Sequence, residues 1–399
     1  MNKVFSVLLI SLIPTLGFSQ VQINGSVDVA IKAGGNESGF FVNGIPEEFT
    51  HLHATAEEFN LLLFAPLSEN FYTEARVKIS TFLTGKLGVP KLELANVTYS
   101  PTDKNYFISG GKIILPFGFY PSRQLQIDRT FIDYPLSYSY SLFISRERGW
   151  WKGTRGKYYD SDIPTSDRDY GVNTLFYGGY TTGLVYGVEN QKSTFKFALT
   201  NESPTGYDAS PINTLAGMLR WTHSPNAYLT FGLSASHGSF MHQASADTLS
   251  YDHDFSKFTQ TALGFDFQLG FTYFEIVSEV TYSKWLVPGY TNEDGFIEKT
   301  SGGLEEFDLS NIAANIDIRY EPPFFTGGYF ALRADQLYYP TANSPTQGGD
   351  FMWDYDVTRF TALVGYKLDR NVLLKVAFAE QDNFNGDFYS FKAYVTAAF

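Results

Sequence analysis

From Val21 to Lys32 the chain alternates: Val21, Ile23, Val27, Val29 and Ile31 share one parity, while Gln22, Asn24, Ser26, Asp28 and Lys32 share the other. A period of two over this length describes a half-buried strand. The same pattern closes the chain, where Tyr389, Phe391, Ala393, Val395, Ala397 and Phe399 oppose Ser390, Lys392, Tyr394, Thr396 and Ala398. Between these ends, alternating segments pair across short polar turns, as in Leu61 to Leu67 with Phe71 to Leu83, and Lys91 to Pro101 with Tyr106 to Gly118. Further pairs are Gly171 to Val188 with Ser193 to Asn201, Ile212 to Thr222 with Tyr228 to Gly238, and Thr261 to Leu269 with Thr272 to Trp285. Asn311 to Tyr320 with Gly328 to Tyr339, and Thr358 to Leu368 with Val372 to Ala379, complete a set of about sixteen strands. Leu92 and Leu94 change parity relative to Val97 and Tyr99, which predicts a bulge there.

What surrounds such strands follows from what is missing. After the first residues no stretch offers the 18 or more uninterrupted apolar residues of a spanning helix. There are 37 Phe and 27 Tyr among 399 residues, yet mean hydropathy is slightly negative, so the apolar residues are spread and not clumped. The chain has no cysteine, so disulfides cannot stabilise it. In lipid, only helices or closed barrels satisfy every backbone group. The sequence therefore predicts an all-β transmembrane antiparallel barrel over residues 20–399, with short turns at one end and long loops at the other. Residues 1–19 read as a signal peptide: Lys3 gives the positive start, Val4 to Phe18 is apolar, and cleavage after Ser19 would leave Gln20 first. The expected address is the outer membrane of a Gram-negative bacterium, with outer-membrane lipid against the wall. Tyr99, Phe107, Trp221, Tyr228, Trp285, Tyr320, Tyr329, Tyr338 and Tyr366 fall near strand ends and are expected to form interfacial belts. A formal charge of −13 argues against nucleic acid as a partner.

Giving the apolar parity to lipid leaves the other parity to the lumen. On that basis Lys32, Arg76, Lys78, Lys112, Lys196, Arg220, Arg319, Arg333, Arg359, Lys367, Lys375 and Lys392 point inward, with Asp28, Glu74, Asp266, Glu275, Glu279, Asp317 and Asp335. After the strand Tyr106 to Gly118 comes a connection of roughly fifty residues, far beyond the usual 4 to 6. It carries Arg123, Arg129, Arg146, Arg148, Lys152, Arg155 and Lys157 against Asp128, Asp133 and Glu147. This basic excess within an acidic protein predicts that the loop folds into the barrel mouth. Lys112, Arg123, Arg129, Arg146, Arg148, Lys152 and Arg155 would then form a constriction that selects anions. Pro116-Phe117-Gly118 would end the strand and turn the chain inward, Pro by removing a ladder donor and Gly by permitting the bend.

The run Gly111-Lys112-Ile113-Ile114-Leu115-Pro116-Phe117-Gly118, followed by Phe131-Ile132-Asp133-Tyr134-Pro135-Leu136 and the arginine-bearing loop, resembles the phosphate-selective porin family of types O and P. That resemblance implies a sixteen-stranded, trimeric outer-membrane channel for anions. The expected function is passive diffusion of small solutes, with phosphate or organic anions preferred and no cofactor required. No phosphate loop, metal-binding helix or nucleophile elbow is present in the sequence. Two other classes stay open: a barrel enzyme using His237 or His242 beside Ser239 at the rim, and a non-conducting surface adhesin.

Overall fold

The computed structural model describes residues 21–34, 52–80, 88–146, 149–151, 171–175, 179–205, 215–241, 255–290, 305–343, 349–383 and 386–399. The expected leader, residues 1–19, lies outside them. The wall strands are β1 (Gln22–Gly34), β2 (His53–Pro66), β3 (Phe71–Ser80), β4 (Lys91–Tyr99), β5 (Tyr106–Ile114), β6 (Tyr180–Glu189), β7 (Ser193–Thr200) and β8 (Ala216–Asn226). They continue with β9 (Leu229–Ser239), β10 (Thr259–Phe271), β11 (Phe274–Tyr290), β12 (Glu305–Tyr320), β13 (Gly328–Tyr338), β14 (Val357–Asp369), β15 (Val372–Asn383) and β16 (Gly386–Ala398). Each pairs antiparallel with its neighbours in sequence. β16 returns to pair with β1 from Ser26↔Ala398 to Gly34↔Ser390, which closes a barrel of sixteen strands. Closure removes the unpaired edge that neither lipid nor water-facing sheet tolerates well. No helix among the described residues is long and apolar enough to cross a membrane.

The alternation read from the sequence is the inside–outside pattern of this wall. On β1, Ile23 and Val29 are exposed on the outside, whereas Ser26, Asp28 and Lys32 are buried within. On β16, Tyr389, Phe391 and Val395 are exposed outside while Ser390, Lys392 and Thr396 are buried inside. The bulge is present: Arg76 pairs with Leu94 and Val77 with Leu92, which leaves Glu93 as the extra residue. It flips the strand's faces, so Leu92 is 51% exposed and Leu94 only 9%. A second bulge, not read from the sequence, falls where Asp28 pairs with Glu58 and Val29 with Ala56. The extra residue there is Glu57, which is buried and bonded to Lys32 at 2.8 Å.

Three expectations need correction. β6 begins at Tyr180 and not at Gly171, because residues 171–175 belong to the returning limb of the long loop, with Leu142 N–H donating to the Val172 carbonyl. The outer aromatic girdle is real at the turn end, where Phe71 meets Tyr99 at 4.9 Å and Phe274 stacks on Tyr320 at 4.5 Å between ring centres. Trp285 and Tyr329, however, are buried on the inner face, and Phe107 packs with the loop cluster there, so proximity to a strand end did not fix their side. Lys112 also changes side. The register sets it opposite Ala95 and Thr182, on the face shared by Val97, Ile114 and Leu184, whose side chains are exposed on the outer wall.

Candidate functional site: the loop within the lumen

The chain leaves β5 at Ile114 and turns inward at once. Phe117 N–H donates back to the Leu115 carbonyl at 2.9 Å, and Gly118 then takes φ +68°. Only glycine is unstrained there, and a Cβ would lie 2.3 Å from the Tyr138 hydroxyl. A short 3-10 turn, Tyr120–Ser122, and one turn of α-helix, Leu136–Ser139, follow. The limb comes back to the rim through Ile144–Ser145 and Gly149–Trp151, the latter running parallel to the outer end of β11. Aromatic and aliphatic loop residues supply the apolar anchor. Phe117, Tyr120 and Tyr138 pack against the inner faces of β5 to β11, and Phe131 and Ile132 against β1 and β13 to β16.

Charged wall residues then fix the loop's position. Glu279 accepts from the Phe119 N–H at 2.6 Å and from the Tyr138 hydroxyl at 2.7 Å. The Tyr120 hydroxyl donates to Asp317 at 2.9 Å. Arg333 holds Asp317 through two bonds of 2.6 Å and donates to the Asp133 carbonyl at 2.7 Å. Arg359 bonds Asp335 at 3.1 Å and the Tyr134 carbonyl at 2.6 Å. Lys375 donates to the carbonyls of Gln126 and Arg129, both at 2.6 Å. Lys392 reaches the Asp133 carboxylate at 2.7 Å and 2.8 Å.

The last contact solves a problem at the closing seam. Lys32 of β1 and Lys392 of β16 are direct cross-strand partners, both buried, and like charges so placed destabilise a sheet. Glu57 from the bulge neutralises Lys32, and Asp133 from the loop neutralises Lys392. Burial alone would raise the Asp133 carboxyl, but Lys392 and Arg359 beside it prevail and hold it below the usual carboxylate range.

The predicted constriction residues separate into five cases. Lys112 is outside the lumen, on the outer wall. Arg146 is buried and bonded to Glu202 at 2.5 Å and to the Phe240 carbonyl at 3.3 Å, so its charge is matched. Arg123 lies over the Phe119 ring at 4.4 Å with Glu275 at 3.7 Å. Arg129 is the exception: it is 8% exposed, sits 3.9 Å over the Tyr134 ring, and keeps Nε and Nη1 buried without a hydrogen-bond partner. Arg148, Lys152 and Arg155 lie outside the described residues, as does Lys157. The clamp formed by Arg333, Arg359, Lys375 and Lys392 was legible only as a set of inward cations. Nothing local in the sequence marks their partners on the loop.

Of the rim residues considered for hydrolysis, His237 is exposed, with Nδ1 2.8 Å from the Thr261 hydroxyl. Its contact is with Thr261, not Ser239, and His242 lies outside the described residues.

No protein-family model matches the chain, and no curated protein matches it by sequence. Solved structures do match in fold. The outer membrane channel DcaP of Acinetobacter baumannii is 12% identical with a TM-score of 0.61, the match covering 96% of this chain and 99% of that one. An anion-selective porin from Comamonas acidovorans is 10% identical with a TM-score of 0.57, over 96% and 100% of the two chains. OmpT, an outer membrane protein of Vibrio cholerae solved in a trimer form, is 11% identical with a TM-score of 0.52, over 96% and 99%.

Proposed function

We propose that this chain is an outer-membrane porin that passes small solutes by passive diffusion and prefers anions, phosphate or organic anions among them. The observation that carries the preference is Arg129, a guanidinium on the inward loop that is buried, forms no ion pair among the described residues and retains two unpartnered donor positions. Arginine stays protonated at any pH a cell meets, so this charge persists. Its stacking on Tyr134 offsets part of the desolvation cost without cancelling the field. Of the wall carboxylates, Asp266, Asp317 and Asp335 each bond an arginine of the wall, and Asp28 accepts from the Thr396 hydroxyl. The positive field of Arg129 would favour an anion in the passage over a cation.

The assembly we infer is a homotrimer in outer-membrane lipid, delivered by a cleaved leader at residues 1–19. The fold it shares with porins and a channel of known structure supports transport over catalysis. Phosphate specificity of the O and P type rests only on the motif around Lys112 and Asp133, and Lys112 itself faces outward. The test is purified protein in a planar bilayer under a salt gradient. Stepwise conductance with an anion-selective reversal potential is expected, and neutralising Arg123, Arg129, Arg146, Arg148 and Arg155 together should weaken it. Cation selectivity in the unaltered protein overturns the anion preference, and absence of conductance overturns the porin reading.

A further inference from the structure

Beneath the loop, at the turn end of the barrel, a cavity of about 390 Å³ opens between the 272–273 turn and the 321–327 turn. Its polar lining is Glu275, Arg319 and Glu321, and its apolar lining includes Pro322, Pro323 and Phe325. Glu275 and Arg319 are direct cross-strand partners on the inner face of β11 and β12. Arg319 lies 4.1 Å over the Tyr329 ring and bonds Glu321 at 2.5 Å, while its Nε is buried without a partner. Arg123 descends from the loop to within 3.7 Å of Glu275, whose same oxygen accepts from Gln268 at 2.6 Å. One guanidinium, Arg319, and two carboxylates, Glu275 and Glu321, therefore line one opening, with Arg123 behind Glu275.

We propose that this cavity binds a zwitterionic solute of amino-acid size, one carrying a carboxylate and an ammonium on neighbouring atoms. A pure anion entering here meets Glu275 and Glu321, and a pure cation meets Arg319. A ligand with both charges satisfies each: its carboxylate replaces Glu321 on the accessible part of the Arg319 guanidinium, and its ammonium sits between the carboxylates. Little stands in the way, because Glu321 is 57% exposed in its pairing with Arg319, and such exposed pairs are weak. The prolines and Phe325 offer an apolar surface for the remainder of the solute, within the size range of known ligand pockets. The site needs only the folded barrel and is independent of the anion preference proposed above.

The test is calorimetric titration of the detergent-solubilised full protein with three probes of one shape: phenylalanine, N-acetylphenylalanine and phenylalanine amide. Phenylalanine is expected to bind at least about tenfold more tightly than either singly charged analogue, the ratio that one lost charge-assisted bond produces. Arg319→Gln and Glu275→Gln should each erase that difference, with unboiled and boiled gel mobility confirming that the variants still form the barrel. Equal binding of the acetylated probe, or no binding of phenylalanine, overturns the proposal. Bilayer conductance of the same preparation reports separately on the porin reading.

Discussion

The inner wall carries similar charges on two sides and uses them differently. On β2 to β4, Arg76 bonds Asn60 and the Tyr180 hydroxyl and approaches Glu93 at 3.7 Å, while Lys78 pairs with Glu58 at 2.8 Å. These charges answer one another across adjacent strands. On β13 to β16, Arg333, Arg359, Lys375 and Lys392 reach past the wall and hold carbonyls or a carboxylate of the inward loop. Equal residue types thus give a self-contained ladder on one side and a clamp on the other. A count of lumen cations measures neither selectivity nor stability until their partners are known.

The clamp should break hardest. Arg333→Met strands Asp317 as a buried charge and frees the Asp133 carbonyl, and removing one member of a buried pair costs about 3–5 kcal/mol. The expected result is a lower unfolding midpoint, read by the temperature at which gel mobility changes, together with noisier or larger single-channel currents. On the opposite side Lys78→Met, whose partners are part-exposed, should move the midpoint far less. Equal effects would erase the distinction between ladder and clamp.

Gly118→Ala sharpens the same contrast from the loop's side. Its positive φ disfavours a side chain, and the Cβ would press on the Tyr138 hydroxyl and the Glu279 carboxylate. Backbone strain of this kind costs about 1–3 kcal/mol. Loop entry should loosen while the wall stays intact, so strand content by circular dichroism should hold while current fluctuations grow.

A smaller effect concerns acid. The Asp133 carboxyl sits below its ordinary value of 3.8 in the folded protein, so its contribution is complete above that value and is lost as pH falls through the lower folded value. Thermal midpoints measured from pH 5 downward should fall more steeply for the unaltered protein than for Asp133→Asn, which has already lost the group. Parallel curves would detach Asp133 from the clamp.

Selectivity is the finer probe. Arg129→Met should shift the reversal potential toward cations, whereas Arg146→Met, which removes a charge already matched by Glu202, should shift it less. The smallest effect belongs to Lys112→Ala: on the outer wall it should leave conductance and selectivity unchanged in the same bilayer measurement.

Alternation by itself determined which side of nearly every strand meets lipid, because successive strand residues must point to opposite faces and a buried polar row is costly outside. It gave the approximate strand number, the bulge at Glu93 and the inward turn at Gly118 for the same local reason. It misplaced Lys112, where the polar side chain suggested the lumen but the register decided otherwise. It could not say which cations are matched. Lys392 and Asp133 are 259 residues apart, Arg333 and the Asp133 carbonyl 200 apart, and only the closed barrel brings them together. Arg146 and Arg129 look alike along the loop, yet among the described residues one bonds Glu202 and the other stacks on Tyr134 without an ion pair, because Coulomb energy depends on distance in space and the chain order does not encode it.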